Sequence, residues 1–243
     1  MGDRAREREE ETPAERQMLV ARAATRQTEG ASLRARWLFV PAVALGLCGC
    51  AVALLDLAYV VSVGGQPTNE RAAEMNGRAA EIAGAGWVAF LLATGAFSRW
   101  YQTCLRAAAT CGATVRPVEA VFLLRPYAML RVLDEALDPD RMAPRPARPA
   151  TTDHAGGYRA AAAAPATVSR VGAAPLLAWW LLWLSCSGIL VFRWIVTVSW
   201  TTAKALDATA NAANVAATLL AAVIVLRTTQ RLLAWRRMAF PEE

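Results

Sequence analysis

Lysine is nearly missing from this chain: of 26 basic residues in 243, Lys204 alone is a lysine, and there is a single histidine, His154. Without histidine partners the five cysteines have little metal chemistry open to them. Cys48-Gly49-Cys50 sends two thiols to different helix faces, and no second pair stands at metal-ligand spacing, so no zinc or other metal site is expected. Their odd number, with three inside apolar runs, also argues against a disulfide framework. There is no Gly-rich phosphate loop, no G-x-S-x-G turn and no H-E-x-x-H. Neither an enzyme nor a cofactor is expected.

Charge is scarce as well. Charged residues make up 19% of the chain against 56% hydrophobic, outside the range of an ordinary soluble domain and inside that of a small polytopic membrane protein. The net charge of +6 could point to nucleic acid, but the basic residues flank apolar runs, where membrane topology itself calls for them. The lipid bilayer is the expected partner, and nucleic acid is not.

Four segments approach the roughly 20 apolar residues needed to cross a bilayer core. They are residues 37–61, interrupted by Asp56; residues 82–97, short and rich in small side chains; residues 174–198, the most aromatic; and residues 208–226, the least hydrophobic. Arginine sets their direction. Residues 1–36 carry eight arginines, residues 98–171 ten and residues 227–243 four, whereas the connections 62–81 and 199–207 hold only Arg71, Arg78 and Lys204. The positive-inside rule then predicts an all-α, four-span protein of the inner membrane with both termini cytoplasmic.

The parts between spans look thin. Residues 1–36 mix arginines with seven acids and lack a sustained apolar stripe, which predicts a solvated cytoplasmic arm with one helix near residues 14–24. Residues 138–170 read as a disordered Pro/Ala/Arg linker, and residues 236–243 as a short cytoplasmic tail. The chain thus divides into the arm, residues 37–137 with spans one and two, the linker, residues 171–235 with spans three and four, and the tail. The outer connection, residues 64–81, opens with turn residues and is too short for a domain.

One apolar run fits none of the spans. AVFLLRPYAMLRVLD, residues 120–134, breaks on Arg125-Pro126 after less than half a membrane thickness, and proline disfavours helical geometry at the residue before it. Beyond the break Met129, Leu130, Leu133 and Leu137 recur at helical spacing opposite Arg131, Asp134 and Glu135. This predicts an amphipathic helix, lying at the inner interface or packed on the cytoplasmic ends of the spans.

Several of these residues form a familiar order. FLLATGAFSRW (residues 90–100), then Leu105-Arg106-Ala107, Gly112, Arg116-Pro117, LRPYAMLRVLDEALDP (124–139) and, past the linker, LLAWWLLWL (176–184) resembles the bacterial membrane family called domain of unknown function 4328. Trp100, Arg106, Pro126, Tyr127, Arg131, Trp179 and Trp180 carry the resemblance, over roughly residues 37–235 without the linker. It implies four spans and supplies no activity. The stretch between Pro117 and Pro126 is shorter than in such proteins and lacks their tryptophans.

Asp56 and Arg193 are the sharpest chemical observations. An ionisable group within a span is costly and normally has a partner, a cavity or the interface. Both fall 19 positions along spans one and three, about 28 Å at about 1.5 Å per residue, which predicts an ion pair between those spans near the outer leaflet. The other reading leaves Arg193 snorkelling outward and Asp56 near water. Asn211, Asn214 and Thr218 form a polar stripe on span four that either lines a path or bonds neighbouring helices and its own backbone. Ala85, Ala89 and Ala93 in span two, and Ala213, Ala217 and Ala221 in span four, predict close helix approach. Trp87 and Trp200 are expected at membrane boundaries, and Trp179, Trp180 and Trp183 in packing or against lipid. Together these features point to a non-enzymatic membrane scaffold or interaction subunit with a protein partner or a second copy of itself. The alternative is a small transporter or channel component with a polar path along spans one and four.

Overall fold

Local chemistry marks where each helix starts and stops. In the computed structural model, which describes residues 12–111, 113, 126–137 and 171–239, the helices are α1 (Pro13–Ser62), α2 (Asn69–Thr110), α3 (Pro126–Ala136), α4 (Ala173–Ile195) and α5 (Trp200–Ala239). Among the described residues there is no strand. Thr12 caps α1 in a reciprocal box with Glu15, with Pro13 in the first turn where its missing N–H costs nothing. After Ser62 the chain turns through Gly64 and Gly65, whose φ angles of 70° and 86° suit glycine, and Thr68 accepts from the Arg71 N–H to open α2. Ser199 does the same for α5 through the Thr202 N–H at 3.2 Å.

Four of these helices, α1, α2, α4 and α5, are long and apolar enough to cross a membrane, which marks a multi-pass membrane protein. With 50 residues α1 runs about 75 Å, more than twice a hydrocarbon core of about 30 Å. The helix passes without interruption from the charged arm into the first apolar run, so the boundary expected at residue 36 is not a structural break. The arm is also not simply solvated. Ala21, Thr25, Thr28, Ser32 and Ala35 form a buried face, and Arg236 of α5 reaches Thr25 Oγ1 at 3.3 Å. Small residues make that face, which is why a search for a large apolar stripe misses it.

The connection between α1 and α2 is shorter than expected. Helix α2 begins at Asn69, inside the stretch 64–81 taken for a loop, while α4 stops at Ile195 and α5 resumes at Trp200, well before residue 208. The linker 138–170, the break at Arg125, the first residues of the arm and the end of the tail lie outside the described residues.

Side by side, the helices run in the order α2, α1, α5, α4: α1 packs along both α2 and α5, and α5 also packs along α4. In lipid no hydrophobic force drives such contacts, so close backbone approach matters more. It is set by Gly46 and Gly49 of α1, where an added Cβ would stand 2.7 Å from Val215 Cγ2 and 2.7 Å from Asn211 Oδ1 respectively. Of the alanine stripes, Ala89, Ala93, Ala217 and Ala221 are buried, whereas Ala85 is exposed and Ala213 half-buried. Between α2 and α4 the ring is not closed along its length, and their aromatic contact is Phe97 on Trp179, with centroids 5.7 Å apart.

Helix α3 seals one end. Its expected apolar face, Met129, Leu130 and Leu133, with Leu137 just beyond, is buried in the same core as Trp100, Tyr101 and Trp179. Arg231 of α5, only 4% exposed, pairs with the Asp134 carboxylate and donates to the Leu137 carbonyl at 2.9 Å, so the last turn of α3 is capped from another helix. The Tyr101 hydroxyl donates to the Met129 carbonyl at 3.0 Å.

Candidate functional site

Where α2 and α4 stand apart, a cavity of about 560 Å³ opens, with α1 and α5 as its back wall. Its size falls within the roughly 300–1,000 Å³ of small-molecule sites. At one end lie Asp56, Arg193, Lys204 and Asp207, one from each of α1 and α4 and two from α5. These positions are near helix ends: Asp56 is six residues before the end of α1, Lys204 four after the start of α5, and Arg193 two before the end of α4.

Asp56 is the centre of this group. Its side chain is 3% exposed and holds two cations, Arg78 of α2 at 3.1 Å and Lys204 Nζ at 3.2 Å, the latter 2% exposed. Each buried ion is thereby partnered, as membrane interiors demand. Arg193 pairs instead with Asp207, Nε to Oδ1 at 3.6 Å, beyond hydrogen-bonding distance. Its buried Nε makes no hydrogen bond. Glu74 joins from near the start of α2, close to both Arg71 and Arg78.

The expected Asp56–Arg193 pair therefore gives way to two separate ion groups on one cavity wall. Helix neighbourhood is the reason. Helix α1 packs on α2 and α5, which supply Arg78 and Lys204, and not along α4, which carries Arg193. The alternative, with Asp56 near water and needing no partner, does not describe a carboxylate so enclosed. Sequence reasoning counted Arg78 and Lys204 as loop charges and passed over Asp207. The signal available was that the only lysine precedes an aspartate by three positions, one face of a helix.

The polar stripe divides. Asn211 and Asn214 line the cavity below the charges, whereas Thr218 lies deeper, where a narrower extension of about 80 Å³ runs among Phe39, Phe90, Phe97, Trp179 and Trp183. Part of their hydrogen bonding stays local: Asn211 Nδ2 donates to the Asp207 carbonyl and Thr218 Oγ1 to the Asn214 carbonyl, each at 2.8 Å. Cys186 and Ser187 of α4 face the same cavity. Trp87 stands on its rim, edge-on to Phe90 with centroids 5.8 Å apart.

The residues behind the family resemblance gather at the other end. Trp100 is fully buried and donates from Nε1 to Thr229 Oγ1 at 3.0 Å; Tyr127 lies 6.4 Å from the Trp180 ring; Pro126 begins α3. Arg131 bonds Glu135 at 2.8 Å on the exposed face of α3, and Arg106 is exposed on α2. The aromatic members of this set pack around α3, and its two arginines stay on the surface. Among the described residues no cluster of His, Cys, Asp and Glu could hold a metal ion.

No family model matches the chain, and no curated protein or solved structure matches it.

Proposed function

We propose that this protein is a membrane-embedded binding unit of the carrier type, non-enzymatic, that takes a small molecule into the cleft between α2 and α4. One observation carries the reading: all four long apolar helices contribute to a single cavity with paired charges at one end and amides below them. A purely structural bundle gains nothing from such a space, since in lipid helix association rests on close packing, and every buried charge must be compensated. The transporter alternative expects Asp56, Asn211, Asn214 and Thr218 on one wet cavity, and three of the four stand on this wall. With the arginine-rich segments cytoplasmic, as in a bacterial inner-membrane protein resembling domain of unknown function 4328, the charged end of the cleft faces outward.

A native thiol provides the test. Cys186 lines the cleft, and Cys48, Cys50, Cys104 and Cys111 are free thiols elsewhere. With those four replaced by alanine, a membrane-impermeant maleimide added from outside intact cells should label Cys186. A Cys186 that reacts only after the protein is unfolded defeats the cleft reading. The scaffold role has its own support in the long α1 arm, where Leu19 and Val20 are exposed among arginines. A stoichiometric partner recovered through that arm, with Cys186 unreactive, favours it.

A further inference from the structure

The cleft changes character along its length. At the charged end stand Arg193, Lys204, Asp56 and Asp207; one to two helical turns down come Ser187, Asn211 and Asn214; and beyond these the walls become Phe90, Trp183 and Trp179. From Arg193 to Trp179 is 14 residues of α4, about 21 Å. Such a polar-to-apolar gradient, open on the side where α2 and α4 separate, matches a molecule that is polar at one end and oily over most of its length. A small solute would leave the aromatic extension empty, and a wholly apolar one would strip water from four ionised groups without replacing it.

The charged end also indicates the sign of the headgroup. Asp56 already faces both Arg78 and Lys204, and with Arg71 and Glu74 included the two ion groups hold four cations and three carboxylates. Of these cations Arg193 is the cleft-facing group with capacity left: its side chain is 31% exposed, its only carboxylate contact is 3.6 Å away, and its buried Nε has no acceptor. A guanidinium offers five donors in a fork that suits carboxylate or phosphate, and an unsatisfied buried donor is costly. The inner extension, at about 80 Å³, is a small fraction of the main cleft and favours one chain over two.

We infer that the occupant of the cleft is a single-chain amphiphile with an anionic headgroup, bound with that headgroup on Arg193 and its chain running down between Phe90 and Trp183, entering sideways from the bilayer. This rests on the cleft reading above and goes further by naming the ligand class. The experiment uses the full-length protein, Cys186 its only cysteine, in phosphatidylcholine nanodiscs, with the rate of maleimide labelling as readout. Palmitate should slow labelling. The trimethylammonium amphiphile of equal chain length and inorganic phosphate alone should not. Arg193→Gln should raise the half-protecting palmitate concentration about tenfold, the effect of losing one charge-assisted hydrogen bond. Ala83→Trp, which adds bulk on the α2 wall away from Cys186, should remove protection while labelling continues. Persistent labelling that palmitate does not slow overturns the amphiphile and leaves the cleft standing, as does protection by phosphate alone. Equal protection by the cationic chain, or an unchanged concentration in Arg193→Gln, overturns the assigned headgroup site. A Cys186 that never reacts sinks the cleft and this inference together.

Discussion

The two ends of the bundle solve the same problem in opposite ways. At the α3 end, a buried arginine pairs with a half-buried aspartate, Arg231 also donates to the carbonyls closing α3, and tryptophan, tyrosine and leucine fill the space around them. At the other end, charged side chains form two groups beside a cavity, and Arg78 and Arg193 each keep a buried Nε without a hydrogen-bond partner. Buried ion pairs stabilise little by themselves, because desolvation offsets attraction. The first end therefore reads as a clasp in which Arg231 is held by a carboxylate and two carbonyls, and the second as ion groups that border open space.

Substitutions can break that comparison, and the clasp should yield the largest effect. Arg231→Ala leaves Asp134 without its partner and strips the Leu137 carbonyl, which should destabilise the protein by roughly 3–5 kcal/mol, read as loss of folded protein in a denaturant titration in mild detergent. At the open end the effect should depend on which partner is removed. Asp56→Ala strands the buried Lys204 and leaves Arg78 only Glu74, and should approach that cost, whereas Lys204→Met leaves Asp56 still bound to Arg78 and should cost clearly less. Equal losses would mean that Arg78 contributes nothing to the network. Restoring stability by exchanging Asp56 with Arg193, but not with Lys204, would contradict the observed pairing outright.

Smaller effects sharpen the comparison. Gly49→Ala forces a methyl to within 2.7 Å of the Asn211 amide and should cost about 1–3 kcal/mol as α1 and α5 are pushed apart. The same change should raise the labelling rate at Cys186, since those two helices form the back of the cleft. Trp100→Phe keeps the ring and loses only the hydrogen bond to Thr229, so a loss of about 1 kcal/mol is expected, with cleft labelling unaffected.

Much of the architecture was legible in the residues themselves. Four long apolar helices follow from hydropathy, and the spacing of Met129, Leu130, Leu133 and Leu137 gave the buried face of α3. What misled was the treatment of charge as a marker of loops. Arg71, Arg78 and Lys204 were assigned to connections because they are ionised, yet all three lie within helices, since a helix can continue past the apolar run that defines a span. The arm was misjudged for a related reason: alanine, serine and threonine pack a helix face closely without raising its hydropathy.

Asp56 and Arg193 show where the limit lies. Composition and helical rise were enough to mark both as costly and to place both near one end of the bundle, because depth along a helix is a matter of counting residues. Partner choice was not a matter of counting. It required knowing that α1 lies against α2 and α5 rather than α4, a consequence of Gly46 and Gly49 meeting Val215 and Asn211 across the bundle. The one-dimensional pattern fixes which helices form and how far along each a charge stands, since both are local properties of the backbone. Which charges meet, and whether a cavity remains between them, depends on side-chain volumes contributed by helices distant in the chain, and the tertiary structure alone decides that.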